Sequence, residues 1–160
     1  FVRFTNGNVI WCAELKDNLK EIKEETLTQC IEAVEPWEMV FGKVAEGPSI
    51  LKRDGLYYLL YSANDFRSQD YAVGYATSDS PFGPWKKNSK NPLLHRVDEL
   101  VGTGHGAPFA DKDGNLRYIF HAHKSQTEVN QRNSYIVDMS LSGKDQVSIG
   151  GGLIRPAVVK

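Results

Sequence analysis

Short runs of aromatic and β-branched residues, separated by turn residues, fill most of the chain. The runs at 49–51 and 56–61 flank the segment Arg53-Asp54-Gly55, and an Asp-Gly pair between such runs is a strong hairpin signal. Similar turn pairs recur at Asp113-Gly114 and Ser142-Gly143. This alternation of short apolar runs and tight turns predicts an all-β architecture.

Residues 15–31 are the one helix candidate, because Leu15, Leu19 and Ile22 recur at helical spacing. The stretch 26–31 fits a strand equally well. We therefore expect a short helical turn followed by a strand.

The two Asp-Gly hairpins are similar over their whole length when the chain is shifted by 59 positions. EGPSILKRDGLYYLLYSA then falls on HGAPFADKDGNLRYIFHA, with Tyr61 on Phe120 and Glu46 on His105. The strands that follow also correspond, at VIWCAEL (9–15), AVGYATS (72–78) and YIVDMSL (135–141). Their anchors Ala13, Ala76 and Met139 are each 63 positions apart.

A repeat of this length, built from several antiparallel strands and tight turns, is typical of a propeller blade. We predict one unit over 44–103, the next over 104–160, and the end of an earlier blade with its connector over 1–43. This count is below the four blades that a closed propeller needs, so we expect a partial chain covering roughly two to three blades. Two similar hairpins within an ordinary β-sandwich are the alternative.

The innermost strand of each propeller blade lines the central axis. Equivalent positions on successive blades therefore point toward one shared site, and we expect Glu46 and His105 to lie there together. A purely structural repeat would tend to reuse one residue type, whereas these two groups differ in their chemistry.

Composition excludes several classes of protein. The chain has 160 residues, of which 41% are hydrophobic and 24% charged, which suits one globular unit. A net charge of −1 gives no indication of a nucleic-acid or membrane partner. Cys12 and Cys30 lack metal-ligand spacing and are interpreted as small apolar residues, with a mutual disulfide as the alternative.

Three stretches strongly resemble the family 43 glycoside hydrolases: VAEGPSILKRDGLYYLLYSAN, YAVGYATSDSPFGPWKK and GTGHGAPFADKDGNLRYIFHAHKS. The resemblance runs from about residue 8 to residue 141. It implies a five-bladed β-propeller and an inverting glycosidase acting on arabinose- or xylose-containing plant polysaccharides or oligosaccharides. An α-L-arabinofuranosidase or a β-xylosidase is the expected type.

The resemblance also implies roles for single residues. Glu46 matches the family's general acid. No residue here matches the two Asp residues of the family's catalytic set, and Asp17, Asp54 and Asp113 lie in turn contexts. Since inversion needs a carboxylate base as well as an acid, we expect the isolated chain to be inactive.

Three further residues are candidates for the substrate pocket. His105 matches a histidine that lies at the central cavity of the family and in many members helps to hold calcium or another ion. Arg132 precedes a late strand, where the family carries a substrate-contacting Arg; a surface Arg is the alternative. Trp37 could stack on a sugar ring or anchor its loop, and His121 and His123, which share one face of a strand, are interpreted as structural.

The expected partners are a carbohydrate substrate and the remaining N-terminal blades, with no nucleic acid, membrane or organic cofactor. A secreted or periplasmic bacterial protein is expected from the resemblance alone. A non-catalytic propeller that binds glycans is the alternative function.

Overall fold

The computed structural model describes residues 2–3 and 8–157. Its strands form three antiparallel sheets, with the orders β1-β2-β3, β4-β5-β6-β7 and β11-β10-β9-β8. The all-β prediction is thereby confirmed. Two single-turn 3-10 helices lie at Glu24–Thr26 and Pro36–Glu38, and no helix of the described residues is long and apolar enough to cross a membrane. The strands are β1 (Val2–Arg3), β2 (Val9–Cys12), β3 (Thr28–Glu32), β4 (Ala45–Arg53), β5 (Leu56–Ala63), β6 (Ala72–Ser78), β7 (Lys86–Lys87), β8 (Gly104–Ala110), β9 (Leu116–Ala122), β10 (Asn133–Ser142) and β11 (Gln146–Ile149).

The second and third sheets have the same topology, each with four strands laid down in chain order from one edge to the other. The first sheet has three strands, also in chain order, with β2 between β1 and β3. This is the blade arrangement of a β-propeller and confirms the fold class. A 3-10 turn followed by strand β3 also confirms the interpretation of residues 15–31.

The strand ladders correct the register of the repeat. The second strands are 59 positions apart, as predicted: Ser62 lies opposite Glu46, and its counterpart His121 lies opposite Gly104. The first strands are therefore 58 positions apart, so that Gly104 is the structural equivalent of Glu46 and His105 that of Gly47.

The third strands of the repeat were also misaligned by the sequence pattern. Ala76 pairs with Leu59, whereas Val137 pairs with Tyr118, the counterpart of Leu59. Val137 therefore replaces Met139 as the equivalent of Ala76, and the offset is 61 positions. The correction preserves the face on which these side chains lie, because two residues make one full period of a strand.

The core lies in two layers between the three sheets. One layer joins the second sheet to the third through large side chains such as Tyr58, Leu60 and Phe120. The other joins the first sheet to the second through Ile10, Ile31 and the rest of its cluster. Burying an aliphatic side chain of this size contributes about 1.5–3 kcal/mol, so the face-to-face packing of the sheets fixes their relative positions.

The two cysteines lie in the first sheet. Cys12 is buried and Cys30 half-buried, and the two thiols are not joined. Burial, followed by the neighbouring Cys12, raises the pKa of Cys30 to about 11. Their role as small packed residues thus agrees with the sequence interpretation.

Candidate functional site

Glu46 lies at the start of strand β4, where the ladder to β5 is interrupted. It pairs with Ser62, and a bulge follows before pairing resumes between Ser49 and Leu60. Gly47 occupies the bulge with φ of +56°, a conformation that favours glycine, and Pro48 has no N–H that the broken ladder would leave unpaired. The sequence Glu46-Gly47-Pro48 therefore places a half-buried carboxylate at the end of an otherwise regular hairpin.

Tyr71 is the direct partner of Glu46 and was missed by sequence reasoning. It ends the loop between β5 and β6, is fully buried, and its hydroxyl donates a hydrogen bond to Oε1 of Glu46 at 2.8 Å. Burial, and then the charge of Glu46, raises the pKa of the Tyr71 phenol, so the phenol stays a donor. A single tyrosine beside a strand looks like a core residue, and no local pattern distinguishes it.

His105 joins the same cluster through the bulge of the next sheet. Its backbone has φ of +49° and its N–H donates to Oγ of Ser62 at 2.7 Å. The ring packs over Gly47, where an added Cβ would lie 3.2 Å from it, and Nδ1 is 3.4 Å from the Tyr71 hydroxyl. The predicted meeting of Glu46 and His105 in one site is thus observed, although the two residues are not equivalent positions of the repeat.

His121 and Arg132 extend the cluster toward the third sheet. The His121 ring stacks on Tyr71, with centroids 5.6 Å apart, and its Nε2 accepts a hydrogen bond from Arg132 Nη1 at 2.9 Å. Burial, followed by the Arg132 charge, lowers the pKa of His121 to about 4, so His121 is neutral near pH 7.

The Arg132 guanidinium also lies over the Phe66 ring, 4.7 Å from its centroid. Nε2 of the buried His123 lies 2.8 Å from the carbonyl oxygen of Phe66. His121 therefore binds Arg132, and His123, one residue past the end of β9, binds the loop at Phe66.

A cavity of about 550 Å³ opens beside this cluster. Its lining includes Gly47, His105, His121 and Ser134, together with the apolar side chains of Pro48 and Ile119. The cavity thus combines a few polar groups with an apolar lining, as small-molecule sites commonly do.

Trp37 lies outside this cavity. Its ring packs so closely on Gly74 that a Cβ there would lie 2.7 Å away, and it contacts Tyr61 at 5.9 Å between centroids. These are the contacts of a loop anchor. Contact between Trp37 and a sugar stays a prediction.

Glu38, one residue after Trp37, is a second carboxylate that sequence reasoning missed. It is fully buried and accepts hydrogen bonds from the Tyr61 hydroxyl at 2.6 Å and from Lys87 Nζ at 2.7 and 2.8 Å. It also accepts the backbone N–H groups of Val34 and Glu35, at 2.7 and 2.8 Å. The spacing Glu35-Pro36-Trp37-Glu38 forms a capping box, which was an available signal.

A calcium ion at the central cavity stays a prediction. Calcium takes six to eight oxygen ligands, and no group of three or more His, Cys, Asp or Glu side chains is arranged to hold a metal within the described part of the chain. Ion contact by His105 therefore stays a prediction.

Known proteins resemble this chain in sequence and structure. The model of the family described as glycosyl hydrolases family 43 matches residues 3–144. A crystal structure described as an endo-1,4-beta-xylanase from Bacteroides thetaiotaomicron VPI-5482 is 58% identical, with a TM-score of 0.94 over 99% of this chain and 55% of that chain.

Two curated relatives match smaller parts. A beta-D-galactofuranosidase of Aspergillus niger is 34% identical over 76 residues, 48% of this chain and 22% of the relative. An extracellular exo-alpha-(1->5)-L-arabinofuranosidase of Streptomyces chartreusis is 35% identical over 94 residues, 54% of this chain and 28% of the relative. The matches span about a quarter of the length of these curated relatives and about half that of the solved structure.

Proposed function

The chain belongs to glycosyl hydrolases family 43, and we propose that the protein carrying it is an inverting glycosidase with Glu46 as its general acid. The substrate class is an arabinose- or xylose-containing plant polysaccharide or oligosaccharide. An α-L-arabinofuranosidase or a β-xylosidase is the activity we propose. Names of relatives support this range, since they include an endo-xylanase and an exo-arabinofuranosidase.

The observation that carries the proposal is the position of Glu46. Glu46 is half-buried, and its carboxyl group accepts a hydrogen bond from the Tyr71 hydroxyl at 2.8 Å. The next two residues, Gly47 and Pro48, line the cavity. A general acid needs this combination, because it must hold a fixed direction and still reach the leaving-group oxygen.

In the proposed step, the carboxyl proton of Glu46 passes to the glycosidic oxygen while the bond from that oxygen to the anomeric carbon breaks. A water molecule attacks the anomeric carbon from the opposite face and loses its proton to a second carboxylate. In inverting enzymes this base lies roughly 6.5–9.5 Å from the acid. We assign the base to no residue of this chain.

Basic and polar groups in and beside the cavity would bind the sugar. His121 and Ser134 line the cavity, and the planar Arg132 fork, fixed by His121 at 2.9 Å, suits a pair of hydroxyl groups. A neutral His121 adds no second positive charge there.

The test is Glu46→Gln in the protein that carries this chain, with paired arabinofuranosides and xylosides. For each sugar, one substrate has a natural alkyl linkage and one has a dinitrophenyl leaving group that needs no proton. We expect kcat to fall by about 10²- to 10⁴-fold on the natural linkage and far less on the activated one. Equal losses on both would refute the assignment of Glu46. Glycan binding by a wild-type protein that hydrolyses neither substrate would instead support a non-catalytic propeller.

A further inference from the structure

Tyr71 lies in a slot formed by two paired residues of the third sheet, Gly104 and His121. At Gly104, an added Cβ would lie only 2.2 Å from Cε1 of Tyr71. The His121 ring stacks on the Tyr71 ring with an interplanar angle of 12°. Since a tyrosine ring has two rotatable side-chain bonds and this one is fully buried, the direction of its hydroxyl is set by packing.

That hydroxyl points at the proposed acid. It lies 2.8 Å from Oε1 of Glu46 and 3.4 Å from Nδ1 of His105, which is itself held through its backbone by Ser62. The donor therefore reaches one particular oxygen of the carboxyl group from a rigid support.

We propose that Tyr71 is a positioning residue of the general acid: its hydroxyl donates to Oε1 of Glu46 and thereby fixes the direction of the carboxyl group. This inference rests on the proposed function of Glu46. A protonated carboxyl group has one O–H and one carbonyl oxygen, and the oxygen that accepts from Tyr71 takes the carbonyl role.

The same hydrogen bond favours the transition state. When the carboxyl proton of Glu46 moves to the glycosidic oxygen, the bond between that oxygen and the anomeric carbon breaks and Glu46 becomes a carboxylate. A hydrogen bond to an ionised acceptor is roughly twice as strong as one between neutral groups. The Tyr71 hydroxyl thus stabilises the charge that develops on Glu46 more than it stabilises the resting acid.

The chain supplies a matched control for the decisive variant. Tyr61 is also fully buried, and its hydroxyl also donates to Oε1 of a glutamate, Glu38, at 2.6 Å. Tyr71→Phe and Tyr61→Phe each remove one hydroxyl group from a buried Tyr–Glu pair and leave the ring in place. Only the first pair includes the proposed acid.

The experiment measures kcat/KM of the complete protein on a natural linkage and on a dinitrophenyl glycoside. We expect Tyr71→Phe to lose about 10- to 100-fold on the natural linkage and less than about threefold on the activated substrate. Tyr61→Phe should change both substrates by the same small factor, since its effect is on stability. Thermal unfolding of both variants shows which fraction is folded, and rates are expressed per folded protein.

Two further results would overturn the inference. One is an equal loss on both substrates by Tyr71→Phe, which would make its role merely structural. The other is a Tyr71→Phe loss that persists in the Glu46→Gln background, where no proton remains to be positioned. Failure of the proposed function itself appears separately, as a Glu46→Gln variant without leaving-group dependence.

Discussion

Lys87→Met is expected to destabilise the protein strongly, because Lys87 is the counter-charge of the buried Glu38. The Glu38 side chain is 0% exposed and that of Lys87 17%, and the two groups are 2.7 Å apart. Lys87 also donates to the carbonyl oxygen of Glu32 at 2.6 Å. Methionine has a similar length but supplies neither the charge nor the donors.

The magnitude follows from the geometry. Removing one partner of a buried ion pair costs about 3–5 kcal/mol, since the other charge stays buried without compensation. The three donors that remain to the Glu38 carboxylate, which are the Tyr61 hydroxyl and the N–H groups of Val34 and Glu35, reduce this cost, whereas the lost bond to Glu32 adds about 1 kcal/mol. We therefore expect the free energy of unfolding to fall by about 3–4 kcal/mol.

Urea unfolding followed by tryptophan fluorescence measures this difference, because Trp37 packs against Tyr61 within the same network. Lys86→Met is the matched control: Lys86 neighbours Lys87 on β7 but is exposed, so its replacement should stay within about 0.5 kcal/mol of wild type. In the double variant Glu38→Gln/Lys87→Met the losses should be smaller than the sum of the single losses. A Lys87→Met loss below about 1 kcal/mol, or strict additivity, would refute the reasoning.

Two further predictions concern the slot around Tyr71. Gly104→Ala places a Cβ 2.2 Å from the Tyr71 ring and should lower both kcat and thermal stability. Gly42→Ala is the control, since its nearest atom would be 3.5 Å away, and it should change neither quantity. If the two variants behave equally in activity and melting assays, the packing of Tyr71 against Gly104 is not important. The pKa of His121 is lowered from 6.5 to about 4 in the folded protein, so the unfolded chain binds more protons between these values and stability should fall as the pH falls through this window. In His121→Gln, the free energy of unfolding, measured with urea at pH 7 and pH 4.5, should differ less between the two pH values than in wild type. An unchanged difference would show that His121 does not contribute to the pH dependence.

Much of the fold could be predicted from the sequence, because local patterns of apolar and turn residues indicate the strands and hairpins. The register of the repeat could not, and the reason lies in the turns. Asp54-Gly55 closes its hairpin directly, since Arg53 pairs with Leu56, whereas Ala110 pairs with Leu116 across residues 111–115. In the longer loop, Asp111 accepts the N–H groups of Asp113 and Asn115. Aligning the two Asp-Gly pairs therefore shifted the preceding strands by one residue.

The residues of the candidate site also fall into two groups, those that the sequence could indicate and those that it could not. Glu46, His105 and Arg132 were predicted from a repeat and a resemblance, which are properties of the chain itself. Tyr71 lies 25 positions from its partner Glu46, and the contact depends on where the loop between β5 and β6 places the Tyr71 ring. No local pattern reports such a contact, because a buried tyrosine has the same sequence context whether its hydroxyl serves the core or a site.

The two Tyr–Glu pairs of the chain show why the carboxylates differ in role. Glu38 meets Tyr61, Lys87 and two backbone amides in a fully buried network, an arrangement that stabilises a loop. Glu46 meets Tyr71 immediately before Gly47 and Pro48, which line a cavity. In the pairing of β8 with β9, the position equivalent to Glu46 is Gly104. A second carboxylate there would occupy the space through which the Tyr71 ring reaches Glu46. The repeat therefore does not place two equivalent ionisable groups in the site. Where the second sheet has Glu46, the third sheet has Gly104, and the missing side chain leaves room for the Tyr71 ring that binds Glu46.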